Sequence, residues 1–351
     1  MAMKTRQEQF RFVFISLMVL LMYSCGNTQN LKQSRPTNSF AKGADVGWLP
    51  QMEATGYRFY DTDGKEKDCL QLLKERGMNT IRLRVFVNPS QDKASGHCSK
   101  EETVAMALRA QKAKMRIMID FHYSDTWADP AKQAKPAAWA NLSFDALQNK
   151  VYEHTFDVLT ALQKAGVIPE WVQVGNEIPG GMLWPDGSTN NWAQLAQLLN
   201  KGYEATKAVN AKIKVIVHVD EGNNNEKFRW FFFYFTEHQV KYDVIGLSYY
   251  PFLFYRDYSE TIADLQKNLN DMASRYQKEV MVVEVGGVDE QVQNTRELLA
   301  ATIKAVRAVP DHKGLGVLYW EPQGAKSWSG YGLSAWQQDG KPSPALDAFK
   351  E

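Results

Sequence analysis

From residue 40 onward, short apolar runs alternate with longer amphipathic stretches, eight times over. The apolar runs are Ala41–Val46, Thr80–Val85, Arg116–Phe121, Trp171–Val174, Val215–Val219, Val244–Ser248, Val280–Glu284 and Gly316–Trp320. Each has the length and apolar content of a buried strand. Helical stretches fall between them: Lys67–Arg76, Glu101–Lys112, Phe144–Ala165, Asn191–Val209, Thr261–Tyr276, Thr295–Val309 and Ala345–Lys350. Leu195, Leu198, Leu199 and Tyr203 show the three- and four-residue spacing of a buried helix face. Turns such as Arg76-Gly77-Met-Asn79 and Lys164-Ala-Gly166-Val-Ile-Pro169 return the chain from helix to strand. This alternation predicts an α/β fold, a (β/α)8 TIM barrel, as a single domain over residues 41–351. The competing architecture, a doubly wound open sheet, would hold a nucleotide at a glycine-rich first turn. The first turn here, Gly43-Ala-Asp-Val-Gly-Trp-Leu-Pro50, has no third glycine.

In a barrel, chemistry sits at the C-terminal ends of the strands and in the loops after them. Those ends carry Asp45, Arg82 and Arg84, Asp120 and His122, Asn176 and Glu177, His218 and Asp220, Tyr249 and Tyr250, Glu284, and Trp320 and Glu321. Glu177 closes the run Trp171-Val-Gln-Val-Gly-Asn-Glu and Glu284 closes Val280-Met-Val-Val-Glu. A carboxyl in such a run is costly unless it is partnered or used. The two lie over a hundred residues apart, on the fourth and seventh strands, whose ends face each other across a closed barrel. One carboxylic acid and one carboxylate flanking a bond is what glycosidic cleavage requires. For each glutamate the structural alternative is a buried Glu held by an Arg.

Lys and Arg number 41 against 40 Asp and Glu, a net charge of +1, so there is no basic field to hold a phosphate backbone and no nucleic-acid partner is expected. Ten Trp, fifteen Tyr and seventeen Phe provide faces for stacking on sugars as well as core. At the amino terminus Lys4, Arg6 and Arg11 precede an apolar run, Phe12–Met22, about half as long as a membrane-spanning helix requires. The run ends in Leu21-Met-Tyr-Ser-Cys25, which resembles a bacterial lipoprotein signal. Residues 1–25 are therefore expected to be a signal peptide ending at a lipidated Cys25, and residues 26–40, rich in Asn, Gln, Ser and Thr, a flexible tether. The expected location is the cell envelope, anchored by lipid at the outer membrane or surface of a Gram-negative bacterium. An ordinary cleaved signal would instead make the protein secreted. Cys69 and Cys98 either pair or stand as buried thiols. Neither has metal-ligand neighbours, so no zinc site is predicted.

Longer motifs carry a family resemblance. Gly43-Ala-Asp45, Asn79-Thr-Ile-Arg82-Leu-Arg84-Val-Phe-Val-Asn88-Pro89, Asp120-Phe-His122-Tyr-Ser-Asp125-Thr-Trp127-Ala-Asp129-Pro130 and Gly175-Asn-Glu177-Ile resemble glycoside hydrolase family 53, of clan A. Gly181-Met-Leu-Trp184-Pro, Ser248-Tyr-Tyr250-Pro251-Phe and Tyr319-Trp320-Glu321-Pro322 complete the set in family order, from residue 43 to 322. The resemblance implies an arabinogalactan endo-β-1,4-galactanase acting by a retaining double displacement. It makes Glu177 the acid/base and Glu284 the nucleophile. Asn176 is then expected on the sugar 2-hydroxyl. Arg82 or Arg84 is expected beside the nucleophile, His122 and His218 near substrate or the glutamates, and Tyr250, with Tyr249 as competitor, on the nucleophile. A structural hydrogen bond inside the barrel is the other role for His218. Trp320 would floor the cleavage point, Trp127 and Trp184 would stack on sugars, and Asp45, Asp125 and Asp129 would meet sugar hydroxyls, with loop capping as the other role for Asp125 and Asp129.

The resemblance implies no cofactor for the chemistry, β-1,4-galactan and its oligosaccharides as partners, a monomer, and contact with membrane through the anchor alone. Some bacterial members carry a structural calcium on an Asp-x-Asp-x-His-x-Asn run. The corresponding Gly286–Asn294 stretch is short and lacks that spacing, which speaks against such a site. Another clan A endo-glycanase, such as a β-mannanase or cellulase, and a non-catalytic glycan-binding lipoprotein are the competing functions. The aromatic stretch Phe231–Phe235 is expected to form the buried face of a helix, with some of its residues exposed.

Overall fold

The computed structural model describes residues 40–351; the predicted signal peptide, Cys25 and all but the last residue of the tether lie outside them. The strands are β1 (Ala41–Asp45), β2 (Thr80–Val85), β3 (Arg116–Phe121), β4 (Trp171–Val174), β5 (Lys214–Val219), β6 (Val244–Tyr249), β7 (Glu279–Val285) and β8 (Gly314–Tyr319). All pair in parallel and in sequence order, and β8 closes onto β1 through Ala41↔Gly316 to Ala44↔Tyr319. This is the predicted (β/α)8 barrel, with every predicted strand present. The helices are α1 (Leu49–Ala54), α2 (Cys69–Glu75), α3 (Lys100–Lys112), α4 (Phe144–Lys164), α5 (Trp192–Val209), α6 (Asn225–Glu237), α7 (Tyr258–Arg275), α8 (Val292–Arg307) and the short α9 (Lys326–Ser329). Helix α7 starts three residues before the predicted Thr261 because Asp257 and Glu260 form a capping box, each side chain accepting from the other's backbone N–H. The last predicted helix is a 3-10 segment, Pro344–Lys350.

Strand pleating divides the side chains between two environments. Ile81, Leu83, Val85, Ile117, Ile119, Val215, Val217, Ile245 and Leu247 pack outward with the helices. Inside the barrel, Ala41, Met118, Trp171, Ile216, Val244, Met281, Val283 and Leu318 form a separate apolar floor. Above this floor the lining turns polar, with Arg82, Asp120, Gln173, His218, Ser248 and Glu284 all buried. An apolar floor under a polar upper layer confines the reactive groups to one end.

Strand β7 breaks the alternation. Met281 and Val283 already face the barrel interior, so regular pleating would turn Glu284 toward the helices. The β6–β7 register shifts between Leu247 and Ser248, with Leu247 opposite Val282 and Ser248 opposite Glu284. This bulge absorbs one residue and re-aims Glu284 into the barrel.

On α6, Phe228, Phe231, Phe232 and Phe235 form the buried face, in keeping with the expectation for that aromatic stretch, while Trp230 and Phe233 are exposed. Cys69 and Cys98 are buried free thiols, the latter donating to Gly47 O at 3.5 Å.

Candidate active site

Strand β4 ends in a tight turn at Gly175, whose φ of +81° leaves no easy place for a side chain; an added Cβ would sit 2.9 Å from Ile178 Cγ2. Two residues on, Glu177 takes φ +41°, a conformation uncommon outside glycine and one that clusters at functional sites. Gln133 holds this turn, its Nε2 donating to Asn176 O at 2.8 Å and to Glu177 O at 3.1 Å.

Ser248 connects the two glutamates. It stands opposite Glu284 in the β6–β7 register, and its hydroxyl donates to Glu177 Oε1 at 2.5 Å. Ser248 thus bonds the Glu177 carboxyl from the strand position beside Glu284. His218 Nδ1 is the target of two N–H groups, from Gln173 Nε2 at 3.1 Å and Glu177 N at 3.3 Å, so the ring proton belongs on Nε2. That nitrogen lies 2.7 Å from Ser248 Oγ. Donation then runs from His218 Nε2–H to Ser248 and from Ser248 to Glu177, while the unprotonated Nδ1 also faces the acceptor Asn176 Oδ1 at 3.2 Å. Burial, then Arg82 and His122, hold the His218 pKa well below its ordinary value, which keeps the ring neutral in this role.

Glu284 has different company. Arg82 Nη1 approaches its Oε1 at 2.9 Å, and the Tyr250 hydroxyl donates to its Oε2 at 3.2 Å. Burial lifts the Tyr250 pKa well above the ordinary phenol value, so it stays a donor. Of the two arginines predicted to reach this carboxyl, Arg82 does so. Arg84 pairs with Asp45 Oδ1 at 3.1 Å and with Glu321, and its guanidinium lies 4.3 Å from the Trp127 ring centre. Arg82 also contacts Asp45 Oδ2 at 2.9 Å, Asp120 Oδ2 at 2.8 Å and Asn176 Oδ1 at 2.9 Å.

These partners set the protonation of the pair. Burial raises the Glu177 pKa well above the usual carboxylate value, and the Glu284 charge raises it further. Burial also raises Glu284, but Arg82 opposes it, and the result is about 7. Burial thus pushes both carboxyls up, and of the two only Glu284 has the Arg82 guanidinium in contact to favour its charged form.

Some predicted contacts are corrected. Tyr249 is one strand position from Tyr250 and so faces outward; its hydroxyl lies 2.8 Å from Thr261 Oγ1 on α7, not near Glu284. Asp45 is fully buried with both oxygens engaged by Arg82 and Arg84, so it underpins the barrel rather than meeting sugar hydroxyls. His122 spends both nitrogens inside the protein, on Asp120 Oδ2 at 3.0 Å and on the Ala128 N–H at 2.9 Å. Arg82 is fully buried beneath the pair. Asp125 and Asp129 cap loops, accepting from the N–H groups of Asn88 and Ala137 and of Ala131. Asn176 is fixed by Arg82 and by donation to Ala128 O at 2.8 Å.

Trp127 and Trp320 are half-buried at the mouth in an edge-to-face cluster with Trp48, their own ring centres 5.7 Å apart. Trp184 is half-buried in the loop after β4, its indole N–H on Gly180 O at 2.8 Å. Sequence reasoning missed Ser248, Gln173 and Gln133 as site residues. Ser248 shares the inward phase of Gly246 and Tyr250 and was findable on that ground; Gln133 lies in a loop that carries no such signal.

A parallel barrel with an unequal pair of buried carboxyls at its mouth has the framework of a glycoside hydrolase. The sequence model described as Glycosyl hydrolase family 53 matches residues 41–288 and 285–349, and the chain belongs to that family. It is 35% identical over 313 residues to the "Endo-beta-1,4-galactanase" of Bacillus subtilis, a match covering 81% of this chain and 70% of the relative. With the "Arabinogalactan endo-beta-1,4-galactanase" of Humicola insolens it shares 35% identity over 302 residues, 80% of this chain and 89% of the other. Among solved structures, the family 53 catalytic domain from Ignisphaera aggregans superposes with a TM-score of 0.81 at 31% identity, over 89% of this chain and 95% of that one. A structure from a study of two fungal β-1,4-galactanases gives the same TM-score and identity, over 89% and 100%.

Proposed function

We propose that this glycoside hydrolase cuts internal β-1,4-galactosidic bonds of galactan, including the type I arabinogalactan of pectin, with net retention. The galactanase names of the relatives support the substrate. The observation that carries the mechanism is the unlike company of two carboxyls on neighbouring parts of one barrel mouth: Arg82 and Tyr250 on Glu284, the Ser248 hydroxyl on Glu177. The Glu284 carboxylate attacks the anomeric carbon as Glu177 delivers its proton to the departing oxygen, leaving a glycosyl ester on Glu284. Glu177, now a carboxylate, takes a proton from water, whose oxygen attacks the same carbon and releases Glu284. Two inversions give retention, and direct attack requires the carboxyls about 5 Å apart. Asn176, held by Arg82 and Ala128, serves the sugar 2-hydroxyl, and Trp127, Trp184 and Trp320 provide ring faces for the chain. The reaction is complete with two carboxyls and water. The enzyme body works in water, tethered through acyl chains on Cys25 to the cell envelope.

The test is hydrolysis of linear β-1,4-galactan, mannan and cellulose, with the product anomer followed by NMR. Early release of the β-anomer from galactan is expected. Early α-anomer would overturn the double displacement, and hydrolysis of mannan or cellulose but not galactan would overturn the substrate. Glu177→Ala and Glu284→Ala should each lower kcat by roughly a thousandfold or more. Near-normal turnover of either variant would remove that residue from its role.

A further inference from the structure

Arg84 points into the barrel beside Arg82, yet the chemistry above makes no use of it. The residue is 1% exposed. Its Nη1 pairs with Asp45 Oδ1 at 3.1 Å and with Glu321, while Nε and Nη2 have no hydrogen-bond partner among the described residues. An arginine kept as a core ion pair presents its fork to a carboxylate through parallel bonds. Here two of the three nitrogens are unmatched, so hydrogen bonding alone does not account for the residue.

Its other neighbours are aromatic. Three tryptophan ring centres stand around Cζ: Trp127 at 4.3 Å, Trp48 at 5.8 Å and Trp320 at 6.0 Å. The nearby Cys98 thiol supplies no charge, because burial pushes it up to about 12 against the pull of Arg84. Gly47 makes room for the guanidinium: a Cβ there would fall 2.4 Å from Nη1 and 2.5 Å from Cζ. A guanidinium taken out of water and laid over an indole is at the strong end of cation–π attraction.

Trp127 has few other restraints on its orientation. The indoles of Trp48 and Trp184 are fixed by N–H bonds to Ala94 O at 2.9 Å and Gly180 O at 2.8 Å. The Trp127 N–H makes no such bond among the described residues. Its ring, half-buried in the loop after β3, meets Phe86, His122 and Trp320 edge-to-face at 5.6, 6.0 and 5.7 Å, and Arg84 is the charged group over its face. Asp45 joins this arrangement to the nucleophile. Its second oxygen meets Arg82 Nη1 at 2.9 Å, the nitrogen that also approaches Glu284.

We propose that Arg84 is a positioning residue for glycan binding: fixed by Asp45 and Glu321, it sets the Trp127 ring at the angle on which a sugar stacks, without itself touching the sugar. The proposal rests on the stacking role given to Trp127 above. The test begins with Arg84→Lys, which keeps the charge that Asp45 and Glu321 face and loses the flat guanidinium. KM for β-1,4-galactan should rise about tenfold, with kcat within about twofold of wild type. Gly47→Ala, whose new methyl would have guanidinium atoms as its three nearest neighbours, should raise KM in the same way. In a Trp127→Ala background, itself expected to have a raised KM, Arg84→Lys should change KM by less than about twofold, because the ring it places is gone. Equal KM increases in both backgrounds overturn the proposal, as does wild-type KM in both Arg84→Lys and Gly47→Ala. A fall in kcat with a displaced acid limb of the pH profile also overturns it, since Arg84 would then act on Glu284 through Asp45 and Arg82. Should the urea midpoint show that Arg84→Lys does not fold, Gly47→Ala with and without Trp127→Ala completes the same cycle. Trp127→Ala at wild-type KM would instead overturn the stacking role, and this proposal with it. Galactan left intact by the wild-type enzyme would overturn the substrate reading, and the cycle would then be run on the glycan it does cut.

Discussion

Glu177 and Glu284 share burial, and their difference comes from one cation and two hydroxyls. Arg82 acts on Glu284 directly, while Glu177 has the Ser248 hydroxyl and its neighbour's negative charge. The proposed double displacement predicts that activity should rise as Glu284 ionises and fall as Glu177 loses its proton, a bell-shaped kcat/KM profile for the free enzyme. Ser248 donation lowers the Glu177 pKa. Ser248→Ala removes that donor, so the Glu177 pKa rises and the alkaline limb moves to higher pH, with kcat/KM at the optimum down roughly tenfold. An alkaline limb that stays in place or moves down would show that Ser248 does not tune Glu177. The residue types of this pair were legible in the sequence because two carboxyls in apolar strands are costly. Their protonation was not, since it depends on groups from β2, β4, β5 and β6 that meet only in space.

At the level of a strand, pleating decides between neighbours that look alike. Ser248 and Tyr250 face the reaction, while Tyr249 between them faces α7. Tyr249→Phe should leave kcat unchanged and cost about 1 kcal/mol of stability, read as a lower denaturant midpoint. Tyr250→Phe should lower kcat with little change in that midpoint. The reverse pattern would mean the inward phase of β6 has been misassigned. Alternation along β6 alone separated the two tyrosines into opposite faces; which face was inward required β7 alongside. The β7 bulge was not legible, because Val280-Met-Val-Val-Glu reads equally well with the carboxyl on either face. Likewise both Arg82 and Arg84 point inward from β2, and only the positions of Asp45, Glu284 and Glu321 across the barrel assign them different partners.

At the largest scale, barrel closure brings together residues from Ala41 to Tyr319, and no helix among the described residues is long and apolar enough to cross a membrane. The proposed attachment through Cys25 has its own test. Cys25→Ser should move the protein from the detergent-requiring fraction to the soluble one, with turnover of dissolved galactan unaltered. Retention in the membrane fraction would call for another anchor. Sequence periodicity by itself determined the number of strands, their order and the end of the barrel that carries the chemistry, because burial imposes a local repeat on each element. The choice between Arg82 and Arg84, the inward turn of Glu284, the removal of Asp45 and Tyr249 from the site and the unlike surroundings of the two carboxyls were decided only by tertiary structure. Each depends on distances between strands far apart in sequence, and on an electrostatic environment that exists only once water has been excluded from the closed barrel.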